Sequence, residues 1–432
     1  MDSVLLRLYT ATFCFVMLMA VGFPLVPQHL ELSFQASVFF IGLVSGLDGF
    51  TQIFLRLPMG DFADRGGRRV SLLLTFLVSA IAGLFYVFGP SKWWIIPAQG
   101  LFGLASGIFW VAANAYLFDL VDDADIPKAT SDYALAIGAG FLVGPPLGGY
   151  IADTWGFQAG LSVYIWASVL GALLVWTLPP STHDPDAPRP QGGVYQRGWA
   201  IFQDPDIRFS AFGTFIFGLT VGVLGAFFPV YIRVLGFTAL VVGLLIAVRQ
   251  GFSLIARLGL PERIETHGPR KILLVATGVG GLSLALLPFV EDLAGVGAML
   301  PASVIGAVHA ISPTTSPADV AVLGGLVGLA VIAGLGLGIM VPANLTLVAR
   351  GAPADQRGLA NGIYGTALGL GTAITSWVVG TVGQALGIRW TFWASALMVL
   401  PLLAGLAWYG KRNPSPHEAE KVDPARAAVE QE

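Results

Sequence analysis

Two charged side chains sit where charge is costly. Asp48 in SGLDGFTQ and Arg249 in IAVRQGF each lie near the middle of a long apolar run. An ionised group at the centre of a bilayer costs roughly 2.5–3.5 kcal/mol on insertion scales, so each needs a partner or a water-lined cavity. The chemistry open to them is proton uptake by the acid and anion binding by the base. Gln52 and Gln250 stand close by in sequence and extend the polar set. Charge concentrates once more in GDFADRGGRR, residues 60–69, which holds five charged side chains in a chain only 11% charged overall.

Other chemistry is not indicated. No G-x-x-x-x-G-K-[ST] occurs, so ATP hydrolysis is not suggested. The five histidines are scattered outside the centres of the apolar runs and no H-E-x-x-H occurs, so no metal site and no cofactor are expected. Cys14 is the single cysteine; it excludes an internal disulfide framework and reads as a small buried hydrophobe. The net charge of −3 excludes a strongly basic nucleic-acid binder. An enzyme is not expected.

The elements that position these residues follow from hydropathy. The chain is 55% hydrophobic, with a mean hydropathy of +0.75. Soluble domains carry roughly 25% charged residues, so the bilayer is the expected solvent. Apolar stretches of about 20 residues recur, each enough to cross about 30 Å of hydrocarbon. They fall at 5–27, 36–57, 70–90, 93–118, 131–153 and 157–178, then at 208–234, 238–258, 270–290, 319–349, 357–383 and 387–409. The first is too long for a signal-peptide core and has almost no basic leader, so it is expected to stay as a span. The predicted fold is an all-α membrane protein of twelve transmembrane helices. Residues 1–178 form one six-helix bundle, 179–207 a linker, 208–410 a second bundle and 411–432 a disordered tail. The end of the linker, VYQRGWAIFQDP, is expected on the membrane surface through Trp199 and Phe202.

An even number of spans places both termini on one side. That side collects most of the basic residues, among them Arg56, Arg65, Arg68, Arg69, Arg270, Lys271 and Arg357, whereas the opposite loops offer Lys92, Arg233 and Arg389. By the positive-inside rule, both termini and the linker are cytoplasmic, in a cell inner membrane.

The two halves repeat. An offset of 201 pairs Arg56 with Arg257, Asp64 with Glu265, Gly67 with Gly268, Arg69 with Arg270, and Asp48 with Arg249. Further on, an offset of 231 pairs Gly103 with Gly334, Gly107 with Gly338, Tyr133 with Tyr364 and Gly149 with Gly380. The second half thus contains about 30 extra residues, assigned to 291–318 as a re-entrant or surface helix. Both charged loops face the same side, so the repeats are parallel, as in one large class of secondary transporters. The two matched Gly-x-x-x-Gly pairs predict close helix contacts. Asp48 and Arg249 at equivalent sites either meet as a switching pair, form a fixed clasp between the halves, or are satisfied separately by backbone and water.

These residues resemble the major facilitator superfamily. Gly60 to Arg69 is similar to its signature loop between the second and third helices, motif A. Gly140 followed by GPPLGG, Gly144 to Gly149, is similar to the fifth-helix motif C, associated in that family with antiporters and drug efflux. The resemblance covers nearly the whole chain. It departs in the fourth helix, where the family's motif B carries an Arg three residues before Gln-Gly; Ile96 stands there ahead of Gln99-Gly100. The second copy of motif A has Pro261 where the first has Gly60.

The resemblance implies a cytoplasmic gate made of Gly60, Asp64, Arg65, Gly67, Arg68 and Arg69. Asp64 would face the start of the eleventh helix, while Arg65 and Arg69 pair with acids from other loops, Asp119 among them. The alternative is that the basic residues only set topology. In motif C, Pro145 and Pro146 kink the fifth helix, while Gly140, Gly144, Gly148 and Gly149 let it pack tightly. The family's cavity is lined by helices 1, 4, 7 and 10, which makes Phe13, Phe109, Trp110, Asn114, Phe217, Phe227 and Asn344 candidates beside Gln52 and Gln250. Their aromatic character suits an apolar or aromatic solute. The expected function is secondary transport of a small organic solute by alternating access, as proton-coupled efflux by a monomer. An uptake symporter or facilitator, a non-transporting sensor and a lipid flippase are the alternatives.

Overall fold

Lipid offers backbone amides no hydrogen-bond partners, so each apolar run must close its hydrogen bonds within itself as a helix. The computed structural model describes residues 3–122, 125–180, 193–299, 303, 316–352 and 356–415, without the side chains of 54–66, 126–127, 194–195, 296–299 and 357–358. Among the described residues no strand occurs.

The first half comprises α1 (Ser3–Phe34), α2 (Val38–Gly66), α3 (Arg68–Phe88), α4 (Ile95–Asp119) and α5 (Ile126–Trp155), then a sixth span split into α6 (Phe157–Leu161) and α7 (Val163–Trp176). Helix α8 (Val194–Phe202) leads into the second half. There, α9 (Pro205–Ala226) and α10 (Phe228–Val234) form one span, followed by α11 (Ala239–Ile255), α12 (Leu260–His267) and α13 (Pro269–Leu286). The last three are α14 (Pro317–Gly351), α15 (Arg357–Leu386) and α16 (Arg389–Arg412). Ten helical stretches of the described residues are long and apolar enough to cross a membrane. The pair α11 and α12, bent by 60°, adds an eleventh when counted as one span, and α2 carries a shorter apolar stretch, Val38–Ile53.

The start of α1 and the end of α16 define one end of the bundle, the terminal face. The connections α1–α2, α5–α6, α10–α11 and α15–α16 lie on the opposite, distal face. Large apolar side chains such as Trp166, Trp176, Leu173 and Trp408 point outward, as expected where lipid is the solvent.

The repeat is visible in the backbone. Gly67 and Gly268 adopt φ of 82° and 81° before α3 and α13, and Gly156 and Gly387 adopt 91° and 100° after α5 and α15. These positions are 201 and 231 residues apart, the two offsets found in the sequence. Positive φ strains any residue with a Cβ, so the same turn has been kept at both copies by the same residue type. Helix neighbours repeat as well: α1 packs on α5 as α9 packs on α15, and α3 on α4 as α13 on α14. Each half has its own apolar core, one centred on Phe15, Phe76, Phe102 and Tyr164, the other on Phe209, Phe227, Met340 and Phe392. Two seams join the halves, α2 against α15 and α5 against α11.

Three expectations are refined. Gly103, Gly334 and Gly338 do sit against neighbouring backbones, but among the described residues nothing lies within 4 Å of where a Cβ on Gly107 would be. The inserted segment begins as 3-10 turns over Leu287–Met299 that pack on α14, while 300–302 and 304–315 lie outside the described residues. Helix α8 seats on the second half, with Ile201 in a small apolar cluster beside Ile207, Val348 and Ala360. Trp199 stays exposed and stacks on Phe202 at 5.7 Å.

Candidate functional site

Both halves contribute to a central cavity. Met19, Gly22 and Phe23 of α1, Ser45 and Asp48 of α2, Gln99 and Phe102 of α4, and Tyr164 of α7 line it from one half. Val221, Gly225 and Ala226 of α9 with Thr372 of α15 close it from the other. The cavity is about 40 Å³, enough for a few waters and far below the several hundred Å³ of a drug-sized site. A drug-sized molecule does not fit in it in this conformation.

The polar groups cluster on one wall. Gln52 Nε2 donates to Asp48 Oδ1 at 3.0 Å, one helical turn away on α2. Tyr86 Oη donates to Gln99 Oε1 at 2.5 Å, fixing the amide that faces the cavity. Tyr164 packs edge-on to Tyr86 at 5.0 Å, and its hydroxyl occupies the space where a side chain on Gly22 would be. Gly103 lets α4 approach the backbone of Asp48 itself, at 3.2 Å from its carbonyl to an added Cβ. Asp48 thus shares this wall with Gln52, which donates to it, and with Gln99 and Tyr164.

Arg249 stands elsewhere. It lines a second cavity of about 20 Å³ inside the second half, with Leu224, Phe228, Leu245, Ser283 and Ala330. The structure does not bring it to Asp48, for a topological reason. Helix α2 lies on the α15 seam and α11 on the α5 seam, so equivalent positions of the two halves fall on different seams.

Of the aromatic and amide candidates, Gln52 alone joins the Asp48 cluster. Phe109 is fully buried and stacks on Phe15 at 3.9 Å, with Trp110 edge-on at 5.5 Å. Phe13 packs against the same core, and Phe217 and Phe227 belong to the second core. Buried Asn344 accepts from Ser210 Oγ through its carbonyl at 3.1 Å, and Asn114 is exposed, donating to Trp110 O at 2.8 Å. Gln250 is half-buried on α11 beside Arg249. Phe23, Phe102, Gln99, Ser45 and Tyr164 line the cavity instead. Only Gln99 had a sequence signal, as the remnant of motif B.

At the terminal face, Arg68 forms an ion pair with Asp119 and donates to Ala115 O. The next residue, Arg69, points about 100° away around α3 and donates to Trp176 O at the end of α7. Asp119 is thus the partner of Arg68 rather than of Arg69, and both contacts stay within the first half. Gly60, Asp64 and Arg65 lie on α2 with their side chains outside the described residues. In the second half, Arg270 Nε pairs with Asp206 Oδ1 at 2.7 Å and also donates to Asn413 O. Both side chains are almost completely buried, and Ser415 Oγ donates to Asp206 Oδ2 at 2.7 Å.

Motif C faces two ways. Gly140, Gly144 and Gly148 turn to α1, where an added Cβ would come within 2.8 Å of Val16, Met17 and Val21. Gly149 turns instead to the backbone of Ala239 across the seam, and the Pro145 carbonyl lies where a Cβ on Gly243 would be.

A family profile described as Major Facilitator Superfamily matches residues 8–323 and 319–431. Among curated relatives, the multidrug resistance protein MdtG of Klebsiella pneumoniae (strain 342) is 29% identical over 244 residues, 54% of this chain and 57% of that protein. The inner membrane transport protein YajR of Escherichia coli (strain K12) is 31% identical over 150 residues, 34% of this chain and 33% of that protein. The chain thus matches about a third to a little over half of the length of these relatives. Among solved structures, the nucleoside transporter NupG superposes with a TM-score of 0.74 at 14% identity, covering 95% of this chain and 100% of that one. A POT family transporter in complex with 5-aminolevulinic acid gives 0.70 at 13% identity, covering 94% and 96%. At these identities the superpositions establish the fold alone.

Proposed function

The chain belongs to the major facilitator superfamily, and from that premise we propose that it moves a small organic solute across the membrane by alternating access, as efflux in exchange for protons. The observation that carries this reading is the cavity between the halves with Asp48 in its wall. Neither half encloses it alone, so rocking about the seams would expose it to each side in turn. Efflux is favoured by the motif C resemblance and by the printed name of MdtG as a multidrug resistance protein.

Asp48 is the group that takes up the coupling proton. Protonation removes a charge from the middle of the membrane and weakens its claim on Gln52, which changes the relative energy of the two conformations. Arg249, in its own cavity, is the matching charge of the second half and serves coupling without direct contact to Asp48. Phe23, Phe102 and Tyr164 give the chamber an aromatic wall for the apolar part of a solute. The termini, α8 and the motif A loop face the cytoplasm of the cell membrane in this reading, on the basic side of the chain.

Flux in proteoliposomes under an imposed pH gradient tests the proposal. Solute should move against the direction of proton flow, and the Asp48→Asn variant should lose the dependence on the gradient. Movement with the protons would make it a symporter. No flux for any solute of a broad panel, from a monodisperse sample, would refute transport.

A further inference from the structure

We infer that Asp153 latches the distal face shut: its carboxylate, on the first half, holds the start of α11, on the second. Asp153 lies in the last turn of α5, which ends at Trp155. Ala239 N donates to Asp153 Oδ1 at 2.9 Å and Leu240 N to Oδ2 at 2.7 Å. These are the first two residues of α11. The third amide, Val241 N, donates to the hydroxyl of Thr238, the residue that precedes the helix.

The first amides of a helix have no partner inside it, and they carry the positive end of the helix dipole. Helices ordinarily meet this need from their own chain, as Thr238 does here. Two of the three donors are met instead by a residue 86 and 87 positions earlier, across the interface of the halves. The bonds to a carboxylate are charge-assisted and therefore stronger than neutral ones. Arg233 Nη1, at the end of α10, stands 3.9 Å from Asp153 Oδ1 and is steered by its bond to Phe237 O at 2.8 Å. Glu31 of α1 lies within electrostatic reach of the same guanidinium.

Geometry makes this arrangement a latch rather than a cap alone. Gly149 and Gly243 bring α5 and α11 into backbone contact, so Asp153 sits at the distal end of a continuous seam. Any separation of the seam on that side breaks both hydrogen bonds and exposes the amides of α11. At the terminal face, Arg69 donates to Trp176 of its own half, and Arg270 holds Asp206 and Asn413 of its own. Asp153 is therefore a positioning residue: it biases which side the cavity opens to, without touching the solute. This inference rests on the alternating-access reading, but its readout needs no solute.

Site-directed labelling tests it. Ser45 lines the cavity, and Cys14, the single native cysteine, is buried, so Ser45→Cys gives one reactive position on a silent background. A membrane-impermeant maleimide is added to the distal side of reconstituted vesicles. Asp153→Asn and Asp153→Ala should raise the labelling rate roughly fivefold, the population change expected when a helix cap is lost. Asp153→Glu, which keeps the charge, should restore the slow rate in part. In the converse variant, a disulfide between Asp153→Cys and Leu240→Cys should block distal labelling until a reductant is added. Should the Ala variant fail to fold, the Asn variant and the disulfide pair decide. An unchanged rate in monodisperse Asn protein, or undiminished labelling of the oxidised pair, would overturn the latch. Faster labelling in a protein that carries no solute would uphold the latch and sink the transport reading instead.

Discussion

Arg69 and Arg270, 201 residues apart, do the same thing in the two halves. Each is the second residue of the helix that follows a positive-φ glycine, and each donates to a backbone carbonyl at the end of the last helix of its own half, Trp176 for one and Asn413 for the other. The last carbonyls of a helix are unpaired and carry the negative end of its dipole, so a guanidinium there is favoured. Only Arg270 is also sealed in with an acid, Asp206.

That asymmetry predicts unequal effects. Arg270→Ala leaves Asp206 buried without a counter-charge and should destabilise the protein by about 3–5 kcal/mol. Arg69→Ala removes a partly exposed contact and should cost about 1 kcal/mol. Thermal unfolding in detergent measures both. The double variant Arg270→Met with Asp206→Leu should recover much of the loss, since it removes the stranded charge.

Arg68 and Asp119 should be coupled. A double-mutant cycle with Arg68→Ala and Asp119→Ala is expected to return an interaction energy of about 1–2 kcal/mol, in the range for contacting, partly buried partners. Equal losses that simply add would show that the pair contributes nothing beyond its separate side chains.

The glycines should divide sharply. Gly149→Ala places a methyl group into the backbone of Ala239, so expression and flux should fall together. Gly107→Ala, with no atom of the described residues within 4 Å of the new Cβ, should behave as the parent protein. Both sit in glycine-rich helices, so only their surroundings separate them. Fluorescence size-exclusion profiles beside flux assays would reveal the contrast.

Asp48 and Gln52 should separate by function. Asp48→Asn is expected to keep solute binding and lose the response to a pH gradient. Gln52→Leu removes the donor to the carboxylate, which should weaken the response of flux to the imposed gradient while solute binding persists. Initial rates in proteoliposomes with and without the gradient supply the comparison. An unchanged response in Gln52→Leu would remove this amide from the coupling site.

The helices and the duplication could be read from the sequence because both are properties of spacing. Twenty apolar residues must become a span in lipid, and Gly67 and Gly268 announce one turn twice. The cavity could not be read in the same way. Helices such as α4 and α9 are apolar all round, so nothing in their composition says which side of Phe109 or Phe217 meets solute and which meets core. Asp119 found Arg68 rather than Arg69 because adjacent residues on a helix point about 100° apart. Matching Asp48 with Arg249 by offset was sound as homology between the halves, but equivalent positions end up on opposite seams. Gln99 was visible as part of a degraded motif; its hold on the cavity wall depends on Tyr86, and that link is purely three-dimensional.

Where the halves touch, much of the contact is main chain on main chain. Gly49 faces Gly369 and Gly42 faces the Ser376 carbonyl on one seam, as Gly149 and Gly243 face Ala239 and Pro145 on the other. A boundary of that kind has few rotamers to reshuffle and few interlocked knobs to lift. In the proposed alternating-access cycle it would serve as a plain bearing, on which two bodies roll past one another with little friction from their own surfaces.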